Sequence, residues 1–295
     1  MCLTSLDTNR LELGTTASRQ KRLIVTADDF GAAHQVNDAV ERAHRDGILT
    51  AASLMVTGDA ADDAVARAKT LPSLGVGLHV VLVEGRPALP PETLPDLVDS
   101  SGQFRANMVR TAIGIFAKPT ARAQLRAEVQ AQFMRFAKTG LPLDHVNAHK
   151  HFHLHPTIAS TILSVGCRYG MKAIRAPIEP EHVLNRIEPG SGRFDIARPW
   201  AALVRRRMRR AGMLVPDQVL GLAWSGALDR ERLRGLIDNL PDGLTEIYAH
   251  PATGPYPGSA PDYAYAEELA ALTDGLAKQR VLRDGVALGR FADFV

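Results

Sequence analysis

The stretch most restrictive of fold is Leu23-Ile24-Val25-Thr26-Ala27, an apolar, β-favouring run that leads straight into Asp28, Asp29, Phe30 and Gly31. A strand apolar on both faces belongs to a parallel sheet covered on both sides. Such sheets carry their chemistry at the carboxyl edge, where this run places two adjacent carboxylates. Neighbours on a strand point to opposite faces, so the two can take separate tasks, one binding a cation and the other moving a proton. A plainer reading makes one aspartate a helix cap and the other a solvated turn residue.

The rest of the chain repeats the strand-helix alternation of βαβ units. Val36, Ala39, Val40 and Ala43 recur at helical spacing before Gly47. A strand over 48–56, a helix over 62–71 and a strand over 74–83 follow, the last interrupted by Gly77 and His79. Residues 86–104 carry four prolines and a Ser-Ser-Gly turn, the composition of a long loop serving as lid or substrate rim. A helix over 121–138 bears Leu125, Val129, Phe133 and Phe136 on one face. Beyond it the pattern predicts a helix over 156–169, a short strand over 171–176, an irregular rim over 177–193, strands over 219–222 and 245–249, and one helix over 263–278. Residues 281–294 close the domain, and no internal repeat or linker divides it.

With 295 residues, 45% hydrophobic and only 5% aromatic, the chain can bury one large aliphatic core. A net charge of +3 does not call for nucleic acid. Cys2 and Cys167 are too few and too far apart for a disulfide framework or a thiolate metal site. No apolar leader or spanning segment is visible, which places the protein in the cytoplasm. Residues 1–21 read as a disordered N-terminal tail and residues 22–295 as the domain.

Histidines supply the second signal. His145, His149, His151, His153 and His155 are five of the ten in the chain. If the stretch is extended, the last four share a face; on a helix, His145, His149 and His153 align. A lone histidine such as His79 or His250 is more simply a core or structural residue. Taken together, one Asp and two His form a facial ligand set for a divalent ion with positions open to water and substrate. The remaining Asp and His are then a base and an acid for metal-assisted hydrolysis.

TADDFG at 26–31, GLH at 77–79, HVNAHKHFHLH at 145–155 and HP at 250–251 resemble the YdjC-like family of carbohydrate deacetylases from residue 22 onward. The resemblance implies a single-domain α/β fold, an irregular (β/α) barrel akin to polysaccharide-deacetylase and TIM-like barrels. It implies a metal-dependent hydrolase that removes acetyl from an N-acetylated amino sugar. Carried over by position, Asp28 is the general base, Asp29, His79 and His149 hold one divalent ion, and His250 protonates the leaving amine. His151 and His153 are the alternatives to His149. Zn²⁺ and Mg²⁺ lead the candidate ions, with Mn²⁺ and Ni²⁺ also compatible. The LVEGRPALPP run and the segment 199–213 look most like the branch associated with hopanoid biosynthesis, which implies an N-acetylglucosaminyl hopanoid as substrate. Soluble chitooligosaccharides, another barrel metal hydrolase acting as amidase or phosphodiesterase, and last a non-catalytic sugar- or metal-binding protein are the alternatives, and a homodimer is compatible. The helix over 199–213 carries Arg205, Arg206, Arg207, Arg209 and Arg210 beside Trp200, Leu203, Val204, Met208 and Met213. Such a helix is either a solvated face or a peripheral contact with the anionic inner membrane surface.

Overall fold

The computed structural model describes residues 20–192 and 198–295. Among them one parallel sheet contains β1 (Arg22–Phe30), β2 (Ala51–Leu54), β3 (Gly75–Val80), β4 (Val146–Ala148), β5 (Gln218–Leu220), β6 (Leu244–Ala249) and β7 (Ala287–Leu288). Its order is β4-β3-β2-β1-β6-β5, with β7 on the start of β1. β1 is central because Leu23, Ile24, Val25 and Ala27 are fully buried, and it pairs with β2 on one side and β6 on the other.

The sheet curls into an irregular (β/α) barrel. Residues 171–178 span the gap between its edge strands, β4 and β5: Val146 N–H donates to Ala173, Arg175 N–H returns to Val146, and Val219 N–H donates to Ile178. Residues 171–176, expected to be a strand, make only isolated bridges from Val146 to Ile174 and from Ala173 to Leu214.

Helices cover the outer face: α1 (His34–Asp46), α2 (Ala61–Ala68), α3 (Met108–Ala117), α4 (Pro119–Lys138), α5 (Pro156–Gly166), α6 (Glu181–Ile187), α7 (Arg198–Arg210), α8 (Arg230–Asp238), α9 (Tyr265–Leu272) and α10 (Gly275–Arg283). Val36, Ala39, Val40 and Ala43 of α1 are buried as their spacing predicts, and Gly47 N–H closes the helix on Ala43.

Several expectations are corrected. The helix expected over 263–278 is two, because Asp274 accepts Ala277 N–H and starts α10. The rim expected over 177–193 contains α6, which buries Val183 and Leu184. The loop over 86–104 is packed down: Leu94, Leu97 and Phe104 are buried, and Glu128 of α4 accepts Ala88 and Leu89 N–H at 2.7 and 3.0 Å. Of the expected tail, residues 1–19 lie outside the described residues, as does Cys2, while Lys21 C=O already accepts Ala287 N–H. No described helix is long and apolar enough to cross a membrane.

Candidate active site

The carboxyl edge of β1 is where the site begins. Strand alternation alone would separate Asp28 from Asp29, yet both line one cleft of about 370 Å³. Asp29 has left-handed backbone, φ 63°, and the register of β1 on β2 slips between Ala27 and Phe30. That bulge turns the second carboxylate back toward the first, and aspartate is among the residues that tolerate this backbone best.

The two carboxylates have different partners. Arg175 reaches Asp28 through two bonds, Nη1 to Oδ2 at 2.5 Å and Nη2 to Oδ1 at 3.0 Å. The same guanidinium donates to Glu246 Oε1 from Nε and Nη2 at 3.0 and 2.7 Å, and lies 4.6 Å over the Tyr248 ring. Burial, the largest single influence, pushes the pKa of Asp28 up, but the charge and hydrogen bonds of Arg175, joined by the neighbouring His79 and His250, together more than reverse it and hold the carboxyl well below its ordinary range.

Asp29 Oδ1 lies 3.3 Å from His79 Nε2 and 3.2 Å from His149 Nδ1, and the two nitrogens are 3.4 Å apart. One ligand atom from each residue falls within 4.8 Å of the others, so the group could hold a metal ion. The donors suit one: His79 Nδ1 is 2.6 Å from the Asn147 side-chain oxygen and must donate to it, so the neutral imidazole, the form that binds metal, has its lone pair on Nε2, the nitrogen facing Asp29. Burial also pushes Asp29 up, and the His149 and His79 contacts more than reverse it.

The histidine cluster follows neither expected period. Lys150 and His151 have left-handed backbone, φ 51° and 53°, so successive imidazoles leave in different directions. His149 turns to Asp29. His151 Nε2 sits 3.1 Å from Tyr248 OH, and the buried His153 donates Nε2–H to the Arg175 carbonyl at 2.9 Å. His145 faces the barrel interior, 3.0 Å from Ser53 Oγ. Of the three cluster candidates, His149 alone joins Asp29 and His79.

His250, just beyond β6, lines the same cleft. Its backbone N–H donates to the buried Glu268 at 2.5 Å. Its ring lies between Tyr248 and Tyr263, with centroids 5.5 and 5.3 Å away. Its Nδ1 has no partner among the described residues. Tyr256 and Tyr265 complete the aromatic wall.

Sequence reasoning missed Arg175, Glu246, Ser53 and the tyrosines. Arg175 stands among Ala173, Ile174, Ala176 and Pro177, and Glu246 inside a strand run. A charge in so apolar a setting signals a buried partner.

The chain is 32% identical over 275 residues to a carbohydrate deacetylase of Geobacillus stearothermophilus, an alignment covering 92% of this chain and 97% of that one. It is 26% identical to a chitooligosaccharide deacetylase of Proteus mirabilis, over 92% and 98% of the two chains. Its fold matches that of an Enterococcus faecalis protein to which cellobiose-phosphate cleavage has been ascribed, with a TM-score of 0.73, 23% identity and coverage of 94% and 99%. Residues 22–283 match the family model described as YdjC-like protein, and the chain belongs to that family.

Proposed function

We propose that the protein, through a domain formed by residues 22–295, is a metal-dependent hydrolase that removes the acetyl group from an N-acetylated amino sugar. The carrying observation is that Asp29, His79 and His149 converge beside Asp28 and His250 in one cleft. Two imidazoles and a carboxylate favour Zn²⁺ over Mg²⁺ as the ion they would hold. Such an ion supplies Lewis-acid polarisation of the amide carbonyl and acidifies the attacking water.

The protein's own groups do the rest. Asp28 accepts the proton of the attacking water as the C–O bond forms. Arg175 keeps it ionised and aimed, at the expense of basicity. His250, with Nδ1 unpartnered among the described residues, gives a proton to the amine as the C–N bond breaks. Acetate and a free amino sugar leave. Four of the chain's five tyrosines line this cleft, which supplies flat apolar faces with polar edges of the kind a pyranose ring needs. Relatives named as carbohydrate and chitooligosaccharide deacetylases support the same chemistry.

The finer substrate we propose is a lipid-linked sugar, an N-acetylglucosaminyl hopanoid, met at the inner membrane face by a cytoplasmic protein. The support is α7, which leaves Trp200 and Leu203 about half exposed beside Arg206, Arg207 and Arg210. Arg205 and Arg209 are already bonded to the Asp217 region, so three of the five arginines carry the contact.

The test is acetate release from N-acetylglucosamine, its β-linked dimer and an N-acetylglucosaminyl lipid, by metal-stripped protein with and without Zn²⁺ or Mg²⁺. Release that needs metal, vanishes in Asp28→Asn and falls about 10²–10⁴-fold in His250→Ala is expected. No acetate from any substrate, with metal bound, would overturn the reaction class. Equal rates on the lipid and the free sugar, together with unchanged vesicle binding in Arg206→Glu/Arg210→Glu, would overturn the lipid-linked substrate.

A further inference from the structure

His145 belongs to the histidine cluster but not to the cleft. It is fully buried inside the barrel, and Gly77 gives it room: a Cβ there would stand 2.5 Å from its ring. Its ring stacks on Phe291 at 4.3 Å. On one side Nδ1 is 3.0 Å from Asp144 Oδ2, and on the other Nε2 is 3.0 Å from Ser53 Oγ. Ser53 Oγ in turn is 2.8 Å from Asn147 Nδ2, which also lies 3.0 Å from Asp28 Oδ1. The Asn147 carbonyl oxygen meets His79 Nδ1. The line runs from the amino edge of the sheet to the carboxyl edge without a break.

The direction of every proton in it follows from its two ends. Asp144 is held as an acceptor by Phe291 and Ala292 N–H, at 3.3 and 2.9 Å. His145 Nδ1 therefore donates to it, and Nε2 is left to accept the Ser53 hydroxyl proton. The Ser53 oxygen then accepts from the Asn147 amide. Asp28, ionised by Arg175, accepts from the same amide nitrogen. With both amide protons committed, the Asn147 side-chain oxygen faces His79, whose Nδ1 must carry a proton, so that in the neutral ring Nε2 offers its lone pair to the cleft.

From this we infer that the buried series Asp144–His145–Ser53–Asn147 is a positioning relay that fixes the tautomer of His79, and so selects Nε2 as its ligand nitrogen. The inference rests on the proposed role of His79 in holding a metal. Ser53, His145 and Asp144 touch neither metal nor substrate; they act through Asn147. The relay also gives the C-terminal turn at Phe291 a part in the site, since its backbone amides hold the far carboxylate.

Two measurements test it. Long-range ¹⁵N–¹H spectra of the metal-free protein, at alkaline pH where imidazoles are neutral, are expected to show both His79 and His145 protonated on Nδ1. His79 protonated on Nε2 would overturn the relay. Co²⁺ affinity, measured by competition with a chromophoric chelator, is expected to fall about tenfold or more in Ser53→Ala and in Asp144→Asn. In Asp144→Asn, His145 is also expected to change tautomer. Unchanged affinity in both variants, with His79 still protonated on Nδ1, would show that Asp28 alone orients Asn147 and would overturn the inference. Wild-type protein that takes up no Co²⁺ would overturn the metal reading, and the tautomer spectra would then decide the relay alone.

Discussion

Replacing Arg175 with Met should be among the costliest single changes in the molecule. The guanidinium is fully buried between Asp28 and Glu246, both themselves buried. Met is close in volume and leaves little cavity, so the loss isolates charge. Removing one partner of a buried ion pair costs about 3–5 kcal/mol. At roughly 2 °C per kcal/mol for a chain of this size, Tm should fall by about 6–10 °C. The pH dependence should change as well. In the wild-type protein Asp28 lies below its ordinary pKa, so its contribution is complete above pH about 4 and fades only in stronger acid. Without Arg175, burial is the largest influence left, opposed only by the weaker pull of His79, His250 and the Asn147 amide, and it raises the carboxyl above its unfolded value. The variant then holds a proton that the unfolded chain releases, and its stability falls as pH rises through the raised pKa. Denaturant unfolding between pH 5 and pH 8 should therefore show the variant losing stability toward pH 8. Arg175→Lys should rescue only part of it, because one ammonium cannot reproduce the fork that spans both acids. A Tm within about 2 °C of wild type, or a variant no less stable at pH 8 than at pH 5, would refute the assignment of Arg175 as the counter-charge of the site.

Three other outcomes are expected. Chelation should lower Tm by about 5 °C relative to protein with metal at a hundred times its Kd. That difference should disappear in Asp29→Asn, His79→Ala and His149→Ala, which calorimetry with and without Zn²⁺ would check. Gly77→Ala should cost about 1–3 kcal/mol, because its Cβ would meet an imidazole pinned by Ser53 and Asp144; an unchanged Tm would contradict that packing. His153 is buried and beside Arg175, and its pKa is lowered to about 4 from 6.5, by burial first and by that charge second. Between those values the unfolded chain takes up a proton that the folded one refuses. Stability should thus fall by about 3 kcal/mol as pH drops through that window. In His153→Gln this component of the acid slope should be missing from urea titrations.

How much of this was legible in the sequence depends on how far each decision reaches along the chain. The run from Leu23 to Ala27 determined a buried parallel strand, and the spacing of Val36, Ala39, Val40 and Ala43 determined the helix after it, because periodicity is a local property. The coincidence of acidic and imidazole residues at strand ends likewise determined that a metal-binding hydrolase site was the reading to test. The break at Asp274 was hidden because alanine and leucine suit one helix or two. Tertiary structure alone decided which histidine in the cluster meets Asp29. That choice hangs on the left-handed turn at Lys150 and His151, and on β3 and β4 being neighbours in the sheet. It alone also brought Arg175 to Asp28, 147 positions away, and Ser53 to His145, 92 positions away. A buried charge or hydroxyl shows in a sequence only as a residue that needs a partner. Which partner it finds is settled by strand order and register, and these are fixed by packing the whole barrel at once.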